Sequence, residues 1–343
     1  SKMRKVRYRD NFDPDVMKRL GYATLVASAV ATLTLATYLV FDTPLVQVAS
    51  AAVQPVASPG TARPATFQEK LKDQLVVAAN ASAFPALDPA IDDLPNNKAP
   101  QWSENGCGST DAENVAKCVY GPINATKTAA VLGDSIAVSW LPGLIVALGE
   151  HGYRVHSFVA GECPAADVAI AASGERTVNQ GCLDHRKWAI SAIGALKPDL
   201  IVLSDSDLLM NSLVSRASGE ALVTEWSGAA IRTWTALPAA KRYVLSPPPG
   251  SKDLRDCETV HASPANCAKR LAAEPTYLPL QQAEKTAAAT TGVTYIDVSS
   301  WFCTADGRCP SFVRATPVYV DGIHLTRQQS SYLAPLLVHA LHL

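Results

Sequence analysis

Apolar and polar positions follow two different periods along the chain after residue 128. Short, almost continuous apolar runs predict buried strands at residues 129–132, 154–159, 200–203, 243–246 and 294–298. Between them, apolar residues recur at helical spacing and predict helices at residues 144–150, 185–196, 220–237, 278–290 and 327–339. Strands that alternate with helices indicate a parallel sheet covered on both faces, with right-handed crossovers. The predicted fold is a three-layer, flavodoxin-like α/β sandwich with its functional site at the carboxyl ends of the strands.

A longer apolar run lies near the start of the chain. Residues 21–41 contain no charged side chain and, at about 1.5 Å per residue, can cross a hydrocarbon layer of about 30 Å. We predict a transmembrane helix there. Residues 1–20 are rich in lysine and arginine, which predicts a cytoplasmic amino terminus and an extracytoplasmic location for everything after the helix. A cleaved signal peptide ending near Ala49-Ser50-Ala51 is the alternative, although the apolar run is long for one.

Proline and alanine are abundant in residues 42–100, which follow this apolar run. We expect a semi-extended linker there, interrupted by one short helix over residues 67–79 with an apolar stripe at Leu71, Leu75 and Val76. Such a linker holds an α/β domain of residues 101–343 near the membrane and lets it reorient. Because the chain opens with Ser-Lys-Met, we also expect it to be a piece of a longer polypeptide.

Charge and cysteine content narrow the class of protein. The formal net charge is -1 over 343 residues, so electrostatics gives no reason to expect a nucleic-acid partner. All eight cysteines lie beyond residue 100, each with a near neighbour in sequence, and we predict disulfides between consecutive cysteines. Disulfides indicate an oxidising, extracytoplasmic compartment. Since the chain has no Cys-x-x-Cys motif or histidine-rich cluster, we expect neither a metal nor a cofactor.

Two short motifs carry residues suited to acyl-transfer chemistry. The first predicted strand ends in Gly133-Asp134-Ser135, which puts a serine hydroxyl in a tight turn at the carboxyl end of that strand. Near the other end of the chain, Asp321 precedes His324, and a predicted helix follows. A serine becomes a nucleophile when a histidine takes its proton and a carboxylate orients that histidine. We therefore predict that Ser135, His324 and Asp321 are catalytic, and that Asp134 only stabilises the turn.

In this order the two motifs resemble the first and last sequence blocks of the SGNH hydrolase family, Gly-Asp-Ser and Asp-x-x-His. The resemblance implies an oxyanion hole made by the backbone N–H of Ser135 and by that of a glycine after the second strand, a place that Gly161 occupies. A requirement for a turn before Cys163 explains Gly161 equally well.

The third SGNH block, Gly-x-Asn-Asp, is absent from this chain. After the third predicted strand the sequence has Ser204-Asp205-Ser206-Asp207 instead. An ionised carboxylate repels an oxyanion, so neither aspartate can replace the asparagine while it is charged. The oxyanion hole therefore has two donors, or it takes a weaker donor from the hydroxyl of Ser204 or Ser206.

Nearly the whole chain resembles the carboxyl-terminal part of bacterial acyltransferase-3/SGNH fusion proteins. The resemblance rests on the apolar helix with its basic flank, the Pro/Ala-rich linker, a segment from Trp102 to Cys107 and the two SGNH blocks. It implies that a membrane acyltransferase domain delivers an acyl group, expected to be acetyl, which the serine passes to a cell-envelope polysaccharide or glycolipid. Two alternatives stay open: a carbohydrate esterase or deacetylase with the same site, and an inactive module that binds glycan.

Overall fold

A computed structural model of the protein describes residues 66–102, 106–172, 175, 177–260 and 263–343. Its α-helices are α1 (Phe67–Ala79), α2 (Ser135–Gly149), α3 (Gln180–Leu196), α4 (Gly219–Ala236), α5 (Leu254–Val260), α6 (Pro264–Cys267), α7 (Tyr277–Thr291), α8 (Arg327–Tyr332) and α9 (Ala334–Ala340). Its strands are β1 (Val119–Tyr120), β2 (Lys127–Gly133), β3 (Tyr153–Val159), β4 (Leu200–Ser204), β5 (Lys241–Leu245), β6 (Lys269–Arg270), β7 (Thr294–Ile296), β8 (Arg308–Cys309), β9 (Phe312–Val313) and β10 (Thr316–Pro317). Short 3₁₀ turns lie at Ile91–Asn97, Pro100–Trp102, Val115–Lys117, Asp207–Ser212, Leu271–Ala273 and Ser299–Trp301.

The central sheet has the strand order β1-β3-β2-β4-β5-β7. All of these strands run parallel except the short edge strand β1, which is antiparallel to β3. Gly133, the last residue of β2, pairs with Val159 of β3 and Ser204 of β4. The parallel strands follow the 2-1-3-4-5 order of flavodoxin-like sheets, in which the loops after the first three strands meet at the carboxyl edge. The predicted α/β fold with a mostly parallel sheet is confirmed.

Side chains of β2 alternate between two apolar layers, as the two-residue period of a strand requires. Ala129 and Val131 lie in one core with residues of α1, α2 and α9, and Ala130 and Leu132 lie in the other with residues of α3, α4 and α7. The sheet is therefore covered by helices on both faces. This double burial explains why its strands read as continuous apolar runs in the sequence.

The first helix packs into the domain core. α1 has the predicted bounds and begins with a capping box, in which the side chains of Thr66 and Glu69 each accept a backbone N–H from the other residue. Leu71 and Leu75 of the predicted stripe are fully buried against the α2 and α9 side of the sheet. The prediction that Val76 belongs to the stripe is wrong: Val76 is 47% exposed, because with 3.6 residues per turn it points about 100° away from Leu75. The sequence predicts a reorienting linker up to residue 100, whereas the chain is packed on the domain from residue 66 onward. Burial of two leucines, at about 1.5–3 kcal/mol each, is the physical reason.

Three of the predicted helices differ from the structure by more than one residue. α3 begins at Gln180 and not at residue 185, because the Asn179 side chain caps it. α2 begins at Ser135 and not at residue 144, because the Asp134 side chain caps it. The last predicted helix is divided at Leu333 into α8 and α9. Pro335 lies in the first turn of α9, where a backbone N–H has no partner within the helix and its absence is tolerated. In the interior of one continuous helix the same proline would remove a backbone hydrogen bond.

The predicted pairing of consecutive cysteines is confirmed. Disulfides join Cys107 to Cys118, Cys163 to Cys182, Cys257 to Cys267, and Cys303 to Cys309, which accounts for every cysteine of the chain. Each closes a short loop, with sequence separations of 11, 19, 10 and 6 residues respectively. The disulfides therefore constrain individual loops. Distant segments of the chain are held together by packing.

The predicted transmembrane helix, residues 21–41, and the alternative cleavage site lie outside the described residues, as does the basic segment of residues 1–20. Within residues 66–343, as far as they are described, no helix is both long enough and apolar enough to cross a bilayer.

Candidate active site

Ser135 is the first residue of α2 and lies at the carboxyl end of β2. The turn before it is held by Asp134, whose carboxylate accepts the N–H of Ile136 at 2.8 Å and the N–H of Ser206, in the loop after β4, at 2.6 Å. The prediction that Asp134 stabilises this turn therefore has a structural basis. Among the described residues no acceptor is bonded to the Ser135 N–H, which belongs to the unpaired first turn of a helix.

Gly133 allows β2 and β4 to approach each other closely where this turn begins. Its φ is +150°, and a Cβ on this residue would lie 2.0 Å from the carbonyl oxygen of Ser204. A side chain at this position would push the two strands apart. The glycine before the serine motif is thus required by the backbone contact with β4.

Asp321 and His324 lie in a tight loop before α8. One carboxylate oxygen of Asp321 accepts the backbone N–H of His324 at 3.0 Å and that of Ile323 at 3.3 Å. Gly322 has a φ of +89°, and a Cβ there would lie 2.8 Å from the carbonyl oxygen of Ser251. Its conformation and its close neighbour both favour glycine. The loop therefore folds back so that the aspartate and the histidine face each other.

Packing between α2 and α8 brings the two motifs together. Gly143 of α2 lies against α8, where a Cβ would come within 2.2 Å of the Ser330 carbonyl oxygen. The Gly143 N–H donates to the Ser330 hydroxyl at 3.0 Å. Since Ser135 starts α2 and His324 lies just before α8, this close crossing of helices sets the distance between the serine and the histidine.

The three predicted residues form a continuous hydrogen-bonded chain. His324 Nε2 lies 2.8 Å from Ser135 Oγ, across a sequence separation of 189 residues. His324 Nδ1 lies 2.8 Å from Asp321 Oδ2. With the Nδ1 proton donated to the carboxylate, Nε2 is the nitrogen that can accept the serine proton.

The charge of Asp321 is favoured by its surroundings. Burial raises the pKa of this carboxyl, but the hydrogen bond and charge of His324 and the two backbone N–H groups outweigh burial, so the pKa lies below its usual value. Asp321 is therefore an ionised acceptor for the histidine at neutral pH.

Gly161 follows β3, whose last residue pairs with Gly133, but its N–H is already bonded. The N–H donates to the carbonyl of Gly108 at 3.0 Å, and the Ser109 hydroxyl oxygen lies 3.3 Å away. An oxyanion donor must have its N–H free to face the reacting oxygen. In this structure Gly161 does not meet that requirement, which departs from the expectation based on SGNH hydrolases.

The loop after β4 does not place a carboxylate where the missing asparagine is expected. Asp205 accepts the N–H groups of Ala165 at 2.7 Å and Ala166 at 3.1 Å, and burial raises its pKa to about 6. Asp207 accepts the Thr276 hydroxyl at 2.7 Å, and burial raises its pKa as well. Both side chains are thus hydrogen-bonded to other loops. This avoids the repulsion between an ionised carboxylate and the oxyanion that the sequence analysis describes.

The two serines of this loop are buried. Ser206 Oγ accepts the N–H of Leu208 at 3.3 Å, which caps a 3₁₀ turn and leaves the hydroxyl proton available. The Ser204 hydroxyl has no hydrogen-bond partner among the described residues.

Several buried carboxyl groups lie beneath the site. Burial, followed by repulsion from Asp205, raises the pKa of Asp134 well above its usual value. Burial and the charges of Asp205, Asp134 and Asp207 do the same for Glu284, which is fully buried on α7. Among the described residues no group of three or more His, Cys, Asp or Glu side chains is arranged to hold a metal ion.

Sequence reasoning missed the contact of Trp102 with the histidine. The Trp102 ring meets the His324 ring edge-on, with centroids 5.6 Å apart and an angle of 61° between the planes. The Lys98 ammonium lies over the same indole, 5.4 Å from its centroid. The segment from Trp102 to Cys107 is visible in the sequence, but nothing local in it indicates that its tryptophan reaches His324.

Residues 105–339 match the protein family described as "SGNH domain (fused to AT3 domains)". The chain belongs to this family. The domain is also similar in fold to the lipopolysaccharide acetyltransferase periplasmic domain of Salmonella ser. Paratyphi A, with a TM-score of 0.55, 16% identity, and coverage of 74% of this chain and 99% of that one.

Similarity to an acetylxylan esterase of Geobacillus stearothermophilus is weaker. The TM-score is 0.37 at 10% identity, with 64% of this chain and 96% of that chain covered. No curated protein matches the chain by sequence. The first structural similarity supports the SGNH domain's fold, and any function must be argued from its own residues.

Proposed function

We propose that this SGNH domain is an extracytoplasmic O-acyltransferase that works through an acyl-enzyme on Ser135. The observation that carries the proposal is the hydrogen-bonded chain from Ser135 through His324 to Asp321 at the carboxyl edge of the sheet. This arrangement has the nucleophile, the base and the orienting carboxylate that acyl transfer requires. Membership of a family whose domains are fused to AT3 domains supports transfer in cooperation with a membrane acyltransferase domain.

The first half of the reaction acylates the enzyme. Ser135 Oγ attacks the acyl carbonyl of the donor while its proton passes to His324 Nε2. The Oγ–C bond forms, the bond to the leaving group breaks, and the leaving group takes the proton from His324. Asp321 holds the imidazole and stabilises the positive charge that the histidine carries between these steps.

The second half transfers the acyl group to the acceptor. A glycan hydroxyl gives its proton to His324 Nε2, its oxygen bonds to the acyl carbon, and the Oγ–C bond breaks as Ser135 regains the proton. Water in place of the glycan gives hydrolysis. A carbohydrate esterase is therefore the second candidate, favoured by the same hydrogen-bonded chain. The hydrogen-bonded chain argues against an inactive glycan-binding module, for which these contacts serve no purpose.

The oxyanion of each half-reaction needs backbone or hydroxyl donors. The Ser135 N–H is unbonded among the described residues and supplies the first donor. Gly161 can contribute only by exchanging its bond to Gly108 for one to the oxyanion.

The proposed setting is the outer surface of a bacterial cell membrane. Residues 21–41 form the proposed transmembrane anchor, residues 42–65 the tether, and the donor is an acyl group delivered by a membrane acyltransferase domain. Disulfides fit an oxidising compartment. We propose acetyl as the acyl group and a cell-envelope polysaccharide or glycolipid as the acceptor.

Acylation of the full chain by an activated acetyl ester tests the proposal. Intact-mass and peptide mass spectrometry should show one acetyl group on Ser135 after brief exposure to p-nitrophenyl acetate. Ser135→Ala and His324→Ala should show none, while Ser215→Ala, which alters an exposed serine outside the triad, should still be acetylated. Circular dichroism checks that each variant is folded. A folded wild-type protein without an adduct on Ser135 contradicts the proposal.

A further inference from the structure

We propose that Trp102 and Lys98 form the subsite that holds a pyranose ring of the acceptor during acyl transfer. The inference rests on the proposed function, because it assigns the side of the cleft from which the acceptor reaches the acyl-enzyme. It adds two residues that hold the sugar to a site otherwise defined by the triad.

The position of Trp102 relative to His324 identifies which substrate it meets. In the second half-reaction the acceptor hydroxyl must come within hydrogen-bond reach of His324 Nε2. The indole packs edge-on against the imidazole, with ring centroids 5.6 Å apart. A group beside this ring therefore lies next to the acceptor oxygen, because the histidine serves the entering and leaving oxygens and not the acyl chain.

The chemistry of the two side chains suits a sugar. Trp102 packs against the core beside His324 but is only partly buried. Its face is electron-rich and attracts the weakly positive C–H groups on the face of a pyranose, while sugar hydroxyls need polar partners at the rim. The Lys98 ammonium lies over the ring, 5.4 Å from its centroid, and carries donors for such hydroxyls.

Gly161 lies beside the far end of the indole. A Cβ built on Gly161 would lie 3.8 Å from Trp102 Cη2, so a longer side chain there would cover this end of the ring.

Hydrogen bonds join the segment that carries Lys98 and Trp102 to the helix that follows His324. Arg327 donates to the carbonyl of Lys98 at 3.1 Å and to that of Asn96 at 3.0 Å, and Gln328 donates to Asn97 Oδ1 at 2.8 Å. Both donors belong to the first turn of α8, which directly follows the His324 loop. The same helix start therefore anchors the histidine and the segment that carries Trp102, which is the preorganisation that a transfer site needs.

Partition of the acyl-enzyme tests this assignment. The full chain is acetylated with p-nitrophenyl acetate in the presence of methyl pyranosides (gluco, galacto, manno and N-acetylglucosamine forms) or of glycerol as an acyclic polyol. The measured quantity is acetylated acceptor relative to released acetate. Because transfer and hydrolysis start from the same acyl-enzyme, this ratio does not depend on how fast the acyl-enzyme forms.

We expect the wild-type protein to prefer at least one pyranoside over glycerol by about tenfold, a size typical of one well-placed aromatic contact. Trp102→Leu should remove most of that preference, and Trp102→Phe should retain part of it. Lys98→Met should weaken it less than Trp102→Leu. Trp188→Phe changes a tryptophan that packs on Phe158 and His185 across the sheet, and it should keep the wild-type ratio.

Two results overturn the assignment. The first is a wild-type protein that forms the acyl-enzyme but acetylates glycerol as well as every pyranoside. The second is a Trp102→Leu variant that slows both fates equally with the ratio unchanged, which would reduce Trp102 to a support for His324. Failure to form any adduct on Ser135 is a different result, because it contradicts the proposed function itself.

Discussion

Asp321 combines a structural and a chemical task in one carboxylate. One of its oxygens accepts two backbone N–H groups, which shapes the loop, and the other faces His324 Nδ1. Burial opposes its ionisation, yet these donors more than compensate and lower its pKa. The histidine is thus oriented by a group whose charge the loop itself sustains.

The Asp321 pKa predicts how stability depends on pH. A carboxyl whose pKa is lower in the folded than in the unfolded protein contributes stability above the unfolded value, about 3.9, and loses it as the pH falls through the folded value. The free energy of unfolding of the wild type should therefore exceed that of Asp321→Asn at pH 7, and the gap should narrow below about pH 4. Urea unfolding from pH 7 to pH 3 measures it. A gap that is constant over this range would show that the charge does not matter.

The same substitution should impair the reaction. In the Asp321→Asn variant the side-chain amide could still accept a backbone N–H, but it could not stabilise a positively charged His324. We expect the rate of Ser135 acetylation to fall by about 10²–10⁴-fold, as in other triads that lose their carboxylate. Stopped-flow release of p-nitrophenol measures the rate, and a loss below about threefold would be inconsistent with the proposed role of Asp321.

At the scale of elements, the β2–α2 turn depends on close backbone contacts. Asp134 bonds the start of α2 to the loop after β4, and Gly133 lets β4 pass beside β2 without a side chain between them. Asp205 extends the connection to the residues after β3. The three loops at the carboxyl edge are therefore held together by backbone N–H groups and two buried carboxyls.

Gly133→Ala should be far more harmful than an alanine placed elsewhere. The new Cβ would meet the Ser204 carbonyl oxygen at 2.0 Å, and we expect a loss of more than about 3 kcal/mol in the free energy of unfolding. Gly194→Ala is the matched control, because a Cβ in that part of α3 meets nothing within 4 Å and should stabilise the helix by about 0.5–1 kcal/mol. Urea denaturation distinguishes the two. Equal effects would mean that the strand contact is not limiting.

The disulfide between Cys163 and Cys182 ties the segment after β3 to α3. Its loop spans 19 residues, so replacing both cysteines by serine should lower the free energy of unfolding by about 3 kcal/mol. The Cys303–Cys309 loop spans 6 residues, and its removal should cost about 2 kcal/mol. Chemical denaturation of the two double variants gives the comparison. A larger loss for the shorter loop would contradict an origin in unfolded-state entropy.

At the scale of the molecule, the segment from Thr66 to Trp102 is part of the folded domain. α1 contributes Leu71 and Leu75 to one core, and the end of the segment places Trp102 beside His324. A domain cut at residue 100 would lack the buried leucines and the backbone that holds Trp102 in place. The described chain therefore couples the region nearest the proposed tether to the candidate active site.

Substitutions in α1 test this coupling. Leu75→Ala removes a side chain with no solvent exposure and should lower the free energy of unfolding by about 2–5 kcal/mol. Val77→Ala, at a side chain 71% exposed on the same helix, should change it by less than about 0.5 kcal/mol. Thermal or urea unfolding measures both. If Leu75→Ala unfolds like the wild type, the helix is not part of the cooperative unit.

The sequence alone was sufficient for features that local chemistry controls. Strands buried on both faces produce continuous apolar runs, and helices produce apolar residues three and four positions apart. Cysteines that are close in sequence pair over short loops. The grouping of Ser135 with His324 and Asp321 was also predicted, because parallel strands bring their carboxyl ends to one edge and both motifs flank such elements. Their catalytic role remains a prediction.

Tertiary structure alone decided which residues contact each other across distant segments of the chain. An apolar stripe at Leu71, Leu75 and Val76 indicates that a helix has a buried face, but it shows neither that the core of this domain receives that face nor that Val76 stays exposed. In the same way, the sequence could not show that Gly161 donates to Gly108, that Asp205 faces Ala165, or that Trp102 reaches His324. These contacts join segments distant in the chain, and they depend on packing geometry that no local period encodes.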